Sequence, residues 1–431
     1  MAFSSFRRIE NWLLGADILW LMVWSVAALF FPVALQTTLA WVMGAAWFAG
    51  LLTVGGYNPA YLHPRYRILV SMALSLAFAT LLGIFWMGSG HDWYLKGGIH
   101  YLIALGVVGT ALRFVISFFF RHPVLHIVPF RLPAAYRSLL EELSRQPNIV
   151  VEALANDDPQ SCMELYGRPG TLIVTDLRLR EEGFNAVMAL CEQAEIADIC
   201  EVYESVLGKV AIIESSGEWQ LPLALRVPSP IRETVKRMTD TLFVLITAPI
   251  SLPIIALCAL GVKLTSRGPA FLWQERLGRF GKPFLMLKLR TMVENAEELG
   301  PQWTRAQDPR VTPFGRFLRV TALDELPQFW NILCGEMSLI GPRPERPEIV
   351  ENLRKSIPFF NARLLTYPGL TGWAQLHQGG DATTDDVVNK LRFDLYYLKH
   401  SSVTLDLRIW LGTMQMLLHL AKPAPKSRVE V

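Results

Sequence analysis

The chain has 431 residues, 52% of them apolar and 18% charged, with a formal net charge of +3. An average soluble domain is about 45–50% apolar and about 25% charged, so the composition excludes disorder as the main state and suggests one apolar region diluted by ordinary protein. Cys162, Cys191, Cys200, Cys258 and Cys334 form no CxxC pair, which excludes a small disulfide scaffold and fits free thiols in a reducing compartment, and the small net charge does not argue for a nucleic-acid partner.

The apolar excess starts at the N-terminus. The first 120 residues hold nine charged side chains, and the runs Trp12–Phe31, Leu35–Leu52, Ile68–Trp86 and His100–Phe120 lie between them. Each run has about 18–21 residues, matching a hydrocarbon core of about 30 Å at about 1.5 Å per residue. A four-helix transmembrane bundle over 1–122 is therefore expected. The first run is too long for a signal-peptide core. Arg7 and Arg8, Arg65 and Arg67, and Arg121 with Arg131 mark three loops as cytoplasmic, which puts the rest of the chain at that face. Asp17 and Arg113 lie inside spans and read as structural charges facing the bundle interior.

Residues 123–226 read as a cytoplasmic α/β domain resembling a nucleotide fold. Leu125–Phe130, Ile149–Ala153 and Thr171–Thr175 have the short apolar runs of buried strands, and Pro133–Arg145 and Glu181–Ala194 have helical periodicity. The first strand-to-helix turn, Val128-Pro-Phe-Arg-Leu-Pro-Ala-Ala135, has no glycine, so a pyrophosphate could not approach its backbone closely. A spacer, docking or regulatory role is expected instead, with Val227-Pro-Ser-Pro230 as the linker to an α+β domain over 227–431.

Thr241–Val262 is a fifth uncharged segment of 22 residues. A full crossing would export the arginine-rich region after it, against the loop-charge rule. Pro249 and Pro253 each remove a backbone donor and disturb the preceding turn. A broken, re-entrant helix over 241–262 is expected, with its break near Pro253, entering and leaving at the same anionic headgroup surface.

Phe271–Arg276 and Phe284–Arg290 read as two strands about a turn at Arg279–Lys282; the GxxGK at 278–282 is too short for a phosphate-binding loop. Nine basic residues stand against four acidic ones from Arg276 to Arg319. Lys288 and Arg290 alternate with leucines and so share one face; Arg310, Arg316 and Arg319 follow. The next stretch contains the adjacent acids Asp324 and Glu325, and Gly341-Pro-Arg343-Pro344 comes soon after. Thr321 with Asp324 also fits a capped helix start. Paired carboxylates among arginines suit phosphoryl transfer: one attacks phosphorus, the other holds a divalent metal, and the arginines offset oxyanion charge. The arginines are expected to lower the pKa of Asp324 and keep it ionised. Leu405–Leu420 has the spacing of an amphipathic helix and is expected to lie on the bilayer.

Many motifs here occur in one order: KRMTD at 236–240, GPAFLWQERLGRFGKPF at 268–284, LKLRTM at 287–292, DPRVTPFGRFLR at 308–319, LDELPQFWNIL at 323–333, GEMSLIGPRP at 335–344 and PGLTGWAQ at 368–375. Over nearly all of 236–412 the chain resembles the bacterial sugar transferases, the monotopic polyprenyl-phosphate hexose-1-phosphate transferases. EVYESVLGKV at 201–210 more weakly resembles the end of the α/β domain of their long members.

The resemblance implies transfer of a sugar phosphate from a UDP-sugar to undecaprenyl phosphate, with release of UMP, at the start of exopolysaccharide or O-antigen assembly. It implies Asp324 as the nucleophile that holds the phospho-sugar and Glu325 as the Mg²⁺ ligand. Arg319 would contact phosphate and Arg343 the nucleotide or diphosphate. It further implies a homodimer in the bacterial inner membrane with its catalytic domain facing the cytoplasm. The region directly before Pro253 departs from the family pattern: Leu252 stands where serine is frequent, with Ser251 one further back. His377, in a loop where the family commonly has an Asn-Gly turn, receives no role. A transporter built on the four spans and a non-catalytic assembly scaffold are the rival readings; spans poor in polar residues, with the chemistry clustered at 274–345, argue against the first, and the intact acidic pair against the second.

Overall fold

The computed structural model describes residues 124–146, 149–152, 171–176, 195–215, 218–220, 230–294, 296, 308–378 and 383–417. The four expected spans and the expected helix at 181–194 lie outside the described residues. Two compact units divide the chain, Met1–Leu207 and Gly208–Val431.

In the first unit, β1 (Leu125–Pro129), β2 (Ile149–Val151), β3 (Thr171–Thr175) and β4 (Ile196–Asp198) form a parallel sheet in the order β2-β1-β3-β4. All five residues of β3 are buried, as expected for a central parallel strand covered on both faces. α1 (Arg137–Ser144) buries Leu139 and Leu143, one helical turn apart, and α2 (Ile199–Leu207) starts on Asp198, which accepts from the Cys200 amide at 2.8 Å. In the turn between β1 and α1, Arg131 takes a positive φ of 48°, a conformation more often left to glycine.

The second unit begins before the expected boundary at 226. Val210, Ala211 and Ile212 are fully or almost fully buried in it. The Val210 amide donates to the Arg392 carbonyl at 3.0 Å, and Trp373 Nε1 donates to the Gly208 carbonyl at 2.7 Å. The resemblance at 201–210 thus bridges two units rather than closing one. A hairpin of β5 (Ile213–Ser215) and β6 (Glu218–Gln220) follows.

α3 (Pro230–Thr265) is a 36-residue helix that stays helical through Pro249 and Pro253, so the expected break near Pro253 is not present. Both arms lie on the same unit. Asp240 accepts from the Ser338 hydroxyl at 2.6 Å, and Val244 joins the core; beyond the prolines, Cys258 and Val262 pack with Ala270, Leu289 and Leu318. Between the arms Ile246, Ile250, Leu252 and Leu257 are exposed, so the apolar middle of the helix is uncovered by protein.

β7 (Phe271–Leu277) and β8 (Pro283–Leu289) form the expected antiparallel hairpin, with Phe280 and Gly281 at positive φ in its turn. α4 (Pro313–Val320), a 3-10 segment at Leu323–Gln328 and α5 (Phe329–Cys334) follow. β9 (Ser338–Ile340) pairs in parallel with β10 (Gly369–Thr371); α6 (Pro347–Ser356) follows β9 in the chain and α7 (Trp373–His377) follows β10. α8 (Thr384–His400) opens with a capping box between Thr383 and Asp386. It serves two cores at once, burying Phe393 and Tyr397 in one and Val387, Leu391, Leu395 and Leu398 in the other.

α9 (Val403–Leu417) packs one face on the second unit. Leu405 and Ile409, one turn apart, are buried in the core beside Tyr397, whose hydroxyl donates to Asp406 at 2.8 Å. The side that remains outward carries Val403 and Leu407.

Candidate active site

The acidic pair does not start a capped helix. Thr321 ends α4, its hydroxyl donating to the Phe317 carbonyl at 2.9 Å. Ala322 then adopts a left-handed φ of 54°, and the chain enters the 3-10 segment with Asp324 and Glu325 in its first turn. The reversal turns both carboxyl groups toward the hairpin. Asn331, completely buried, ties the following helix to β8: its amide donates to the Leu285 carbonyl at 2.7 Å, and its Oδ1 accepts from the Leu287 amide at 3.0 Å. One side chain thus supplies β8 with the bonds of a missing strand and fixes Lys288 beside the acids.

Glu325 takes Arg343 as a two-pronged partner, at 2.5 Å to Nη2 and 3.3 Å to Nη1, while Lys288 Nζ lies at 3.5 Å. Burial alone would raise the Glu325 carboxyl; Arg343 and Lys288 overcome it and hold it at about 2. Asp324 is the opposite case. Burial and the negative charge of Glu325 raise its carboxyl to about 6, against the pull of Lys288, Arg319 and Arg343. This reverses the expected sign, because the cations nearest the pair are bonded to Glu325. Burial brings the Lys288 ammonium down to about 8, whereas the Glu325 charge raises Arg343 further.

Arg319 comes from the last turn of α4. Its Nε donates to the Thr291 hydroxyl at 2.8 Å; burial lowers its pKa and the Asp324 charge opposes that. The position of α4 depends on Thr312, which caps it by accepting from the Gly315 amide at 2.9 Å, and on Gly315, where a Cβ would lie 2.0 Å from the Thr291 carbonyl oxygen.

Lys288, Arg319 and Arg343 therefore gather around the acids, and three other expected contacts stand elsewhere. Arg290 is buried and donates to Ser266 at the foot of α3, at 2.8 Å to the hydroxyl. Arg310 pairs with Asp308 at 2.6 Å and donates to the Ala296 carbonyl at 2.9 Å, closing its own loop. Arg316 is exposed on α4. His377 is half-buried and stacked on Phe393, with ring centroids 5.0 Å apart, and desolvation lowers its pKa.

Sequence reasoning missed the layer behind Arg343. Glu345, Arg363, Lys390 and Asp394 form a linked set of buried ion pairs there. One signal was available: Asp394 falls at helical spacing among the buried apolar positions Val387, Leu391 and Leu398 of α8.

For a metal, the described residues bring together no group of three His, Cys, Asp or Glu side chains. Asp324 and Glu325 alone offer hard oxygen donors. This donor set fits Mg²⁺, which is usually held by one or two carboxylates together with substrate phosphates.

A family model described as bacterial sugar transferase matches residues 231–420. The UDP-N-acetylgalactosamine-undecaprenyl-phosphate N-acetylgalactosaminephosphotransferase of Aeromonas hydrophila is 39% identical over 251 residues, which span 57% of this chain and 58% of that protein. Two proteins named UDP-glucose:undecaprenyl-phosphate glucose-1-phosphate transferase are also similar. The one from Caulobacter vibrioides is 40% identical over 204 residues, 46% of this chain and 76% of its own. The one from Klebsiella pneumoniae is 32% identical over 372 residues, 79% of each chain.

Proposed function

Since the chain belongs to the bacterial sugar transferase family, we propose that it transfers hexose 1-phosphate from a UDP-sugar to undecaprenyl phosphate and releases UMP. The relatives' names carry both glucose and N-acetylgalactosamine, so the donor is assigned as a class, a UDP-hexose. The reading rests above all on one observation: two adjacent carboxyl groups in unlike states, Glu325 clamped by Arg343 and Lys288, and Asp324 left without such a clamp.

Asp324 is the nucleophile. Ionised, its carboxylate attacks the β-phosphorus of the donor; a phosphorus–oxygen bond forms, the bond to the bridging oxygen breaks, and UMP leaves with the electron pair. An oxygen of undecaprenyl phosphate then attacks the same phosphorus. The aspartyl–phosphorus bond breaks, Asp324 is restored, and the lipid diphospho-sugar departs. Arg319 and Lys288 offset charge on the transferring group. Glu325, with Asp324 beside it, would hold Mg²⁺, and when bound this ion supplies neutralisation of the donor diphosphate.

A dianionic soluble donor and a lipid phosphate meet only at a membrane surface. Several features support placing the site there, at the cytoplasmic face of the inner membrane. The acidic pair is rimmed by exposed Phe317 and Val320 on α4 and Trp330 on α5. Both arms of α3 rest on one unit while its apolar middle is uncovered, which favours a re-entrant helix over a crossing. An open apolar groove of about 840 Å³ runs between the second arm and β7, lined by Leu260, Phe271, Leu272 and Trp273, with Lys263 as its cation. It suits an isoprenoid chain carrying a phosphate. Purified protein given UDP-hexoses and undecaprenyl phosphate tests the reading. UMP release that needs an intact Asp324 supports it, and no UMP with any UDP-hexose refutes it.

A further inference from the structure

We propose that Arg363 is a positioning residue for this reaction, holding the turn that delivers Arg343 to Glu325, with Asp394 and Glu345 as its counter-ions. The inference rests on the functional reading above.

Arg343 reaches Glu325 from Pro342-Arg343-Pro344, which belongs to no helix or strand. Two prolines leave such a turn with few amide donors, so its shape depends on what its carbonyls accept. Each carbonyl has a partner. Pro342 accepts from the Gly369 amide at 2.9 Å, Arg343 from Arg363 Nη2 at 2.9 Å, and Pro344 from Arg276 Nη1 at 3.1 Å. Two of the three donors are guanidinium groups arriving from behind the site.

Arg363 is 4% exposed. Its Nη2 also meets Asp394 at 2.8 Å, and its Nη1 lies 3.7 Å from Glu345. Glu345 is shared with Lys390 at 2.8 Å and Arg276 at 3.8 Å. Burial alone would raise Glu345, but Lys390 and Arg363 hold it at about 2. A buried ion network is a poor way to gain stability, since apolar residues of similar volume commonly do as well. This network instead ends on the carbonyl of the residue whose side chain grips Glu325. Loosening Arg363 would let the Arg343 guanidinium drift from Glu325. Glu325 would then lose its two-pronged partner.

The test uses the full chain in detergent and compares Arg363→Gln and Asp394→Asn with Val262→Ala, a buried control in the same unit outside this network. Arg363→Gln should lower kcat by about 10- to 100-fold, as a displacement of about 1 Å near the chemistry does. The loss should fall on kcat, with KM for the UDP-hexose changed less than kcat. Amide exchange in the 338–346 peptide should rise, with the 283–289 strand unchanged. Asp394→Asn should show the same changes in weaker form, and it carries the test if Arg363→Gln fails to fold. Val262→Ala should lower Tm without raising the 338–346 exchange. The proposal is overturned if Arg363→Gln and Asp394→Asn lower Tm but leave both kcat and the 338–346 exchange as in the parent. A parent protein that releases no UMP would refute the functional reading, and the exchange comparison would still decide the role of Arg363.

Discussion

Replacing Asp324 with asparagine should abolish turnover and raise thermal stability. Burial and the neighbouring Glu325 charge lift the Asp324 carboxyl from 3.8 to about 6 in the folded protein. The folded state therefore binds this proton more tightly than the unfolded chain does. The resulting cost to stability is absent below about pH 4, grows as pH rises toward 6, and is constant above that. About two pKa units at roughly 1.4 kcal/mol each give a cost of about 3 kcal/mol at neutral pH. Asparagine keeps the shape without the charge but must still bury a polar amide, so a net gain of about 1–3 kcal/mol is expected. For a unit of this size that is a rise in Tm of roughly 3–10 °C. Thermal unfolding of parent and Asp324→Asn in detergent at pH 7.5 and 4.5, paired with UMP release, measures this. The gain should be smaller at pH 4.5 than at pH 7.5 by about 2 kcal/mol. An equal or lower Tm at pH 7.5, or a gain independent of pH, would refute the reasoning.

Three more outcomes follow from the same geometry. In the parent protein kcat/KM should fall below about pH 6, as the Asp324 carboxylate takes up its proton, and a profile flat to pH 5 would contradict this. Arg343→Gln should cost about 100-fold or more in kcat and raise the Glu325 carboxyl; it is checked by steady-state kinetics and the shift of the acidic limb. Gly315→Ala would set a Cβ 2.0 Å from the Thr291 carbonyl oxygen, so α4 must move, at a cost of about 2–3 kcal/mol seen in Tm.

Much of this organisation is legible in the chain itself. Val and Ile runs marked the parallel strands, because strands covered on both faces need no polar alternation. The β7–β8 hairpin followed from two apolar runs about a short turn. The motif Leu323–Leu333 located the acids, and the nearby cations Lys288, Arg319 and Arg343 were named with them. What stayed hidden depends on tertiary contacts. The left-handed Ala322 is not a residue that announces such a turn, so Asp324 and Glu325 looked like a capped helix start. The pKa of Asp324 depends on which acid captures the arginine; the sequence lists charges but not their pairing. Arg290 and Arg310 read as phosphate contacts because charge and periodicity are all that a strand or loop displays, whereas their bonds to Ser266 and Asp308 depend on how the chain packs. Val210 and Ile212 lie outside the stretch that matches the family model, yet they complete the core against α8.

The central claim is a phospho-sugar held covalently on Asp324. Protein incubated with a UDP-hexose labelled at the β-phosphate, with no lipid acceptor, tests it most directly. The account predicts about one equivalent of UMP per site and label retained on the Asp324 peptide, with neither seen in Asp324→Asn. UMP release that occurs only when undecaprenyl phosphate is added, with no label on the protein, would contradict it.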